Sequence, residues 1–227
     1  MNLLVYCSGG FGKEVIDIAR RLNKAYLRWD RIAFIDDIRP LEQAKYSAKD
    51  PTHYGCPVFP FEAACDHFAD YETEAVIANG EPSVRSALLE KLDAVNLRLA
   101  TLIDPSAVVS ESALIGAGSI IFPGCFISSM AKLGRNVAIV AGSMVGHDTI
   151  IGDNCVVSGH VNIGGGCIVG CDSYLGMGTQ IKQQTSIGRG AVVGMGSVVF
   201  GDIPEEVIAL GNPCRPMRPN TGKRIFA

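Results

Sequence analysis

An aliphatic residue recurs at every sixth position through almost half of this chain of 227 residues. Steps of six from Ile103 to Val199 meet 17 positions, and every one of them is Ile, Leu or Val. Six is a multiple of the two-residue strand repeat and does not match the helical repeat of about 3.6, so these side chains share one face of successive strands. The pattern predicts short strands stacked in coils around a continuous aliphatic ladder.

Two further positions keep the same frame. The residue after the aliphatic is often glycine, which predicts a sharp backbone corner. The residue four positions after the aliphatic is usually small, which suits the inside of a tight coil. An ordinary β-sandwich would need turns of varied length between its strands, and the unbroken frame argues against one. The glycines of the frame are Gly116, Gly134, Gly146, Gly152, Gly164, Gly170, Gly176, Gly188 and Gly194.

The pattern, an aliphatic residue followed by Gly, two variable residues, a small residue and one more, resembles that of the hexapeptide acyltransferase superfamily. Members of that superfamily fold as left-handed parallel β-helices with three hexads per coil. The resemblance implies such a β-helix over residues 101–200, with about five coils. The frame has no loop insertion between Ile103 and Val199, which is less common in the superfamily. Residues 201–227 are expected to form a C-terminal tail, and residues 220–227 suggest no role.

Residues 1–100 lack this period and alternate strand-like with helix-like segments. Such alternation predicts a small α/β domain with a parallel sheet. A polar, proline-containing loop is expected over 39–57, and a strand over 99–103 leads into the repeat. The predicted strands are 3–6, 32–35 and 75–78, and the predicted helices include 14–19, 61–68 and 82–92.

A glycine-rich turn follows the first predicted strand. Gly9, Gly10 and Gly12 stand before a helical segment, where backbone amides at a helix N-terminus suit a phosphate group. This is only part of the dinucleotide-binding fingerprint, so an ordinary tight turn is an equal alternative.

Composition restricts the setting of the chain. The net charge of −3 gives no basic surface for nucleic acid. The eight cysteines form no CxxC pair, and the spacing of Cys167 and Cys171 favours a zinc site only weakly. No signal peptide or long apolar segment is expected. Free thiols in a reducing cytoplasm fit best.

The order of the two regions is similar to that of the bacterial sialic acid O-acetyltransferase and UDP-bacillosamine N-acetyltransferase family. The Gly-His-Asp segment in frame with the hexads is the most specific match. The matching segments span nearly the whole chain and are residues 9–12 (GGFG), 34–37 (FIDD), 146–153 (GHDTIIGD) and 211–213 (GNP).

His147 stands two positions after Val145, off the inward ladder, so a core histidine is not expected. Acyl transfer from a thioester must remove a proton from the nucleophile, and an imidazole suits that task. A carboxylate beside it can fix its tautomer and support the imidazolium, and Asp148 is adjacent. The resemblance implies that His147 is the general base and Asp148 its partner. A solvated surface histidine is the alternative.

The resemblance also implies the ligands. Acetyl-CoA, with no metal, would lie along the outside of the coils between two subunits of a homotrimer. Its backbone contacts would fall near Gly165, Met177 and Met195, which could equally be plain corner positions. A nucleotide-linked sugar would bind the first domain. The residues expected near it are Gly9, Gly12, Asp36, Asp37 and Gly80.

Two positions depart from the family pattern. Some members carry a second histidine that contacts the acetyl carbonyl, and this chain has Val156 there. His160 is a possible substitute, although a surface histidine is the other interpretation. Some members place an Asn for the sugar amine where this chain has Val140. These changes bear on the acceptor more than on the reaction class.

The expected function is therefore an acetyl-CoA-dependent N-acetyltransferase acting on a nucleotide-linked amino sugar, such as a 4-amino-4,6-dideoxy sugar, in surface polysaccharide or glycan synthesis. Sugar O-acetylation, as of sialic acid, uses the same general-base chemistry and is the close alternative. A γ-type carbonic anhydrase needs three histidines around zinc, whereas only His147 and His160 lie in the repeat. A sugar nucleotidyltransferase would need a larger first domain, and a non-enzymatic scaffold is the last alternative.

Overall fold

A computed structural model describes residues 1–38, 52–222, 224 and 225. The chain divides into two compact units. The N-terminal unit comprises Met1–Asn79 and Leu88–Ala100, and the repeat unit comprises Gly80–Ala87 and Thr101–Ala227. No helix among the described residues has the length and apolar character needed to cross a membrane.

The N-terminal unit is built on a mainly parallel sheet. The strand order is β3-β4-β2-β1-β5-β6, and among the described strands of this sheet only β3 and β4 pair antiparallel. The sheet therefore confirms the predicted α/β class. The described strands are β1 (Asn2–Tyr6), β2 (Arg31–Ile35), β3 (Thr52–His53), β4 (Cys56–Phe59), β5 (Thr73–Ile77) and β6 (Arg98–Leu99), and the described helices are α1 (Gly10–Tyr26), α2 (Phe61–His67) and α3 (Pro82–Ala94). Residues 82–87 of α3 group with the repeat unit.

Apolar spacing explains the longest helix of this unit. Helix α1 buries Val15, Ile16 and Ala19 on one face, at the three- and four-residue intervals of an amphipathic helix. Strand β1 is buried along its whole length, as expected for the centre of a sheet with helices on both faces. Leu27 ends the helix in the left-handed conformation, and its N–H donates to the carbonyl of Asn23.

Two local predictions differ from the structure. Of the predicted loop over 39–57, residues 39–51 lie outside the described part, but β3 and β4 form a hairpin that the sequence did not suggest. Its turn is left-handed at Tyr54 and Gly55 (φ 53° and 71°), and Tyr is not a usual residue at such a position. The predicted strand over 99–103 is divided, because Leu99 pairs in the N-terminal sheet and Leu102 in the repeat.

The repeat unit carries 17 two-residue strands between Leu102 and Val199, arranged in three parallel sheets. Each strand pairs with the strand 18 residues further on, for example Ile121 with Ile139. One coil is therefore three hexads, and the predicted left-handed parallel β-helix is confirmed. The strands β7–β23 are Leu102–Ile103, Val108–Val109, Leu114–Ile115, Ile120–Ile121, Phe126–Ile127, Lys132–Leu133, Ala138–Ile139, Met144–Val145, Ile150–Ile151, Val156–Val157, Asn162–Ile163, Ile168–Val169, Tyr174–Leu175, Gln180–Ile181, Ser186–Ile187, Val192–Val193 and Val198–Val199.

Glycine is required after the aliphatic residue of the hexads for a different reason from the one predicted. None of them has a positive φ; the left-handed corner residue comes two positions later, at every sixth residue from Gly118 to Gly196. The glycine after the aliphatic lies against the next coil instead. A Cβ on Gly146 would be 2.5 Å from the backbone nitrogen of Gly165, so no side chain can be accommodated.

A strand pair closes the C-terminal end of the repeat, where only a tail was expected. Strand β24 (Val207–Gly211) runs parallel to β22, and β25 (Cys214–Pro219) pairs antiparallel with β24. The peptide bond between Asn212 and Pro213, in the predicted GNP segment, is cis. Beyond β25, the side-chain amide of Asn220 donates to the carbonyl oxygen of Gly190.

Candidate active site

His147 lies at an exposed corner of the β-helix, directly after strand β14. Its Nδ1 is 2.8 Å from Oδ2 of Asp148, and both side chains are about two-thirds exposed (64% and 65%). A carboxylate only accepts hydrogen bonds, so Nδ1 carries the proton in this pair. Nε2 then holds the lone pair that a general base needs.

The backbone of Asp148 is part of this geometry. Asp148 occupies the left-handed corner of its hexad (φ 57°), a conformation that Asp and Asn tolerate better than most residues. Its N–H donates to the carbonyl of Ser129 in the preceding coil. The corner therefore holds the carboxylate beside the imidazole.

Gly165 lies one coil beyond His147, at the same position of the repeat. A Cβ on Gly165 would be 2.5 Å from Nε2 of His147, so the bare backbone leaves this nitrogen accessible. The N–H of Gly166 donates to the carbonyl of His147 at 2.7 Å, which ties the two corners together. Residues 164–166 are three successive glycines, so the coil directly after His147 presents no side chain at this corner.

Met177 and Met195 lie at a different corner of the β-helix, which follows the strands of the β19 and β22 sheet. They are 54% and 77% exposed, in adjacent coils. Within one chain they are separated from the His147 corner by the face formed by β14, β17, β20 and β23. The structure thus brings Gly165, but not the two methionines, to His147.

The two departures from the family pattern lie away from His147. Val156 is buried (2% exposed), and Val140 is half-buried on the same coil face. His160 stands at the methionine corner in the left-handed conformation (φ 56°), where the neighbouring coils have Gly142 and Gly178. A Cβ on Gly142 would be 2.6 Å from Cε1 of His160, so the imidazole covers that glycine.

The glycine turn of the N-terminal unit opens helix α1. Gly9 is its N-cap without a side-chain hydrogen bond, and no acidic residue stands in the first turn. A Cβ on Gly12 would strike the carbonyl of Cys7, so this glycine is needed for close packing. Cys7 itself has φ 78°, a backbone conformation that favours glycine and that the sequence did not reveal.

Asp36 faces this turn. Its Oδ2 accepts hydrogen bonds from the N–H of Ser8 at 2.9 Å and from the Ser8 hydroxyl at 2.5 Å. Ser8 immediately precedes the N-cap of α1. The carboxylate therefore holds the start of the turn at the carboxyl ends of β1 and β2, where ligands of parallel sheets bind.

Asp37 points into a different cluster. Its Oδ2 accepts from the Tyr6 hydroxyl (2.7 Å) and from Lys91 (2.8 Å), and its Oδ1 accepts from the N–H of Phe61 (2.8 Å). Partial burial raises the pKa of Asp37, but the bonds from Lys91, Phe61 and Tyr6 outweigh it and hold the pKa below its usual range. Burial and the adjacent carboxylate raise the pKa of Tyr6. Asp37 is thus engaged by the fold itself, at the start of α2.

Gly80 follows β5 and Asn79, and it begins the segment that belongs with the repeat unit. In the N-terminal unit, the side-chain amide of Asn79 donates to Sγ of Cys7 at 3.6 Å. All eight cysteines are free thiols. Among the described residues, no group of three or more His, Cys, Asp or Glu side chains is arranged to hold a metal ion.

Comparison with known proteins finds a family model that matches the N-terminal region and solved structures that match almost the whole chain. Residues 2–92 match the family model of the PglD N-terminal domain. A search of curated proteins finds no match.

Solved structures of several proteins match almost the whole chain. The acetyltransferase domain of PglB from Neisseria gonorrhoeae FA1090, in complex with acetyl coenzyme A, is 28% identical, with a TM-score of 0.84 over 95% of this chain and 98% of that one. Perosamine N-acetyltransferase from Caulobacter crescentus, as an H-to-N variant with CoA and GDP-perosamine, is 27% identical (TM-score 0.83; 96% and 97%). WeeI from Acinetobacter baumannii AYE is 28% identical (TM-score 0.84; 96% and 100%).

These matches confirm the predicted resemblance to the hexapeptide-repeat bacterial sugar acyltransferases. They also confirm the prediction of an enzyme of the acyltransferase class.

Proposed function

We propose that this hexapeptide-repeat acyltransferase transfers an acetyl group from acetyl-CoA to the amine of a nucleotide-linked amino sugar. A 4-amino-4,6-dideoxy sugar, used for surface polysaccharide or glycan synthesis, is the preferred acceptor. The relatives named above support the reaction class. The single observation that carries the proposal is the His147–Asp148 pair, 2.8 Å apart at an exposed corner beside bare backbone.

His147 is the general base of the proposed reaction. Acetyl-CoA supplies a thioester carbonyl, and the sugar amine forms a new C–N bond to it. Nε2 of His147 accepts the proton that the attacking nitrogen must lose, and it returns that proton to the departing thiolate. The products are an amide and free CoA, so no covalent enzyme intermediate is needed.

Asp148 supports both stages. Its carboxylate keeps the proton on Nδ1 before the reaction and stabilises the imidazolium that forms during it. The backbone N–H of Gly165 is the candidate donor to the oxyanion, because the N–H groups of Gly164 and Gly166 already donate to the carbonyls of Ile181 and His147.

Binding of acetyl-CoA is proposed to need more than one copy of the chain. Gly165 and the pair Met177 and Met195 lie on different corners, so one ligand can touch both sets by bridging two copies. The faces on either side of the His147 corner expose large apolar side chains in adjacent coils, which favour association. These side chains include Val108, Phe126, Met144, Ile150 and Ile168. A homotrimer is therefore part of the proposal.

The nucleotide part of the acceptor is assigned to the glycine turn. Gly9 and Gly12 shape the N-terminus of α1, whose uncapped amides suit a diphosphate. Asp36 holds Ser8 at the edge of this turn. Asp37 supports it indirectly through α2, and a role for Gly80 stays a prediction.

A thiol-release assay with acetyl-CoA tests the function. The acceptors are UDP-, dTDP- and GDP-linked 4-amino sugars, each beside its 4-hydroxy counterpart, together with free sialic acid. We expect turnover with at least one amino sugar and none with its hydroxy counterpart. Turnover with sialic acid alone would replace the proposal with O-acetylation. If no acceptor in the panel causes release of thiol, the proposed acceptor class is refuted.

A further inference from the structure

The hairpin formed by β3 and β4 is fastened to helix α1. Arg20 donates from Nη2 to the carbonyl of Tyr54 at 2.6 Å, and its guanidinium lies 4.8 Å from the centre of the Tyr54 ring. The Tyr54 hydroxyl donates to Oδ2 of Asp17 at 2.9 Å. Two residues one turn apart on α1 thus hold the hairpin turn.

This attachment places His53 on the glycine turn. Its ring packs on Phe34, with the ring centres 5.7 Å apart, and its Nε2 lies 2.9 Å from the carbonyl oxygen of Ser8. A carbonyl oxygen can only accept, so His53 donates from Nε2. The half-buried imidazole has a defined tautomer and a defined partner.

Ser8 is consequently held through all of its polar groups. Its N–H and hydroxyl bind Asp36, and its carbonyl binds His53. The next residue, Gly9, is the N-cap of α1, so the orientation of the first helical amides depends on where Ser8 is fixed. An unengaged carbonyl at this point could turn towards a bound anion and oppose it.

We infer that His53 is a positioning residue for acceptor binding. It acts through Ser8: by holding the Ser8 carbonyl it keeps the amides at the start of α1 directed to the diphosphate of the sugar nucleotide. The inference rests on the proposed function and adds a residue outside the glycine motif. His53 does not touch the reacting atoms, so it governs acceptor affinity and leaves the chemical step unchanged.

Steady-state kinetics with two substitutions test this role. H53F keeps the ring on Phe34 and removes the donor, and we expect about a tenfold rise in KM for the sugar nucleotide. The KM for acetyl-CoA and kcat should stay within about twofold. H53Q restores a side-chain donor and should recover most of the loss. H67F is the matched control, because His67 packs on Phe59 in the same unit and should leave both KM values unchanged.

The outcomes separate the inference from the proposed function. An unchanged acceptor KM in H53F, or equal rises in both KM values, overturns the inference while wild-type activity stands. A wild-type enzyme that uses none of the sugar nucleotides overturns the proposed function and the inference together. Calorimetric binding of UDP and GDP to wild type and H53F gives an independent reading. Weaker binding of a nucleotide to H53F supports the inference, and equal binding to the two proteins overturns it.

Discussion

Nδ1 of His147 and Oδ2 of Asp148 are 2.8 Å apart on adjacent residues of one corner. Neighbouring side chains on a straight strand point to opposite faces, so this contact depends on the left-handed backbone of Asp148 (φ 57°). The corner that closes a hexad also builds the proposed catalytic pair. Three substitutions test the catalytic role of this corner, one tests the backbone strain at Cys7, and one tests the Asp37 cluster.

Replacement of His147 by Ala removes the proposed base. We expect acetyl transfer to fall by about 10²- to 10⁴-fold, because a positioned base contributes on that order. His147 is exposed, so the thermal midpoint and the oligomeric state should be those of wild type. Thiol release, light scattering and thermal melting measure the three properties. Near-normal turnover would falsify the assignment.

Replacement of Asp148 by Gly should lower activity without lowering stability. Glycine adopts the left-handed corner at no cost, but the partner of Nδ1 is lost. We expect kcat to fall by about 10²-fold or more while the denaturant midpoint stays equal or rises. Gln184→Gly relieves the same corner conformation (φ 59°) without touching His147, so it should retain activity. Equal kcat values for the two variants would contradict a catalytic role for the carboxylate.

Replacement of Gly165 by Ala should displace the imidazole. The new methyl group would lie 2.5 Å from Nε2 of His147, so the side chain must swing away from Asp148. We expect at least about a tenfold loss of kcat/KM, since misplacement of a catalytic group by about 1 Å costs 10²-fold. Gly201 holds the same place in a later coil with open space around it, and Gly201→Ala should be silent. Comparable activity in both variants would remove Gly165 from the site.

Replacement of Cys7 by Gly should stabilise the N-terminal unit. A non-glycine residue at φ 78° destabilises the folded unit by about 1–2 kcal/mol, and glycine at the same φ does not. Cys7→Ala loses the same contact with Asn79 but keeps the strained backbone. The comparison of the two variants by urea unfolding therefore isolates the backbone term, and we expect Cys7→Gly to be the more stable by about 1 kcal/mol. A less stable glycine variant would show that the strain is absent.

Replacement of Asp37 by Asn tests the contribution of the Tyr6–Lys91 cluster across pH. The folded-state pKa of Asp37 lies below its unfolded value, so its contribution to stability is complete above the unfolded value. That contribution is lost as the pH falls through the lower, folded value. The stability difference between wild type and Asp37→Asn should be largest near neutral pH and narrow in acid, as measured by urea unfolding at several pH values. A difference that is constant with pH would show that the carboxylate charge does not matter.

Much of the fold could be predicted from the sequence because many equivalent positions of the repeat give the same prediction. Each aliphatic position, from Ile103 to Val199, repeats the same burial requirement, so the β-helix does not depend on any one residue. The hairpin at Tyr54 and the division of the strand near Leu99 were missed, because each rests on a single local choice. The proposed base was found from the frame of the repeat, whereas Cys7 and His53 gave no signal in sequence.

The sequence by itself determined the coiled architecture, the α/β unit before it, and the position of His147 off the inward ladder. Only the tertiary structure decided why the hexad glycines are needed, that Asp37 is bound by Tyr6 and Lys91, and that Gly165 and Met177 stand on different corners. The physical reason is distance along the chain. Periodicity reports which side chains share a face. Contacts between coils join residues 18 apart, and contacts in the N-terminal unit join a sheet to its helices. Both kinds of contact exist only after the chain has folded.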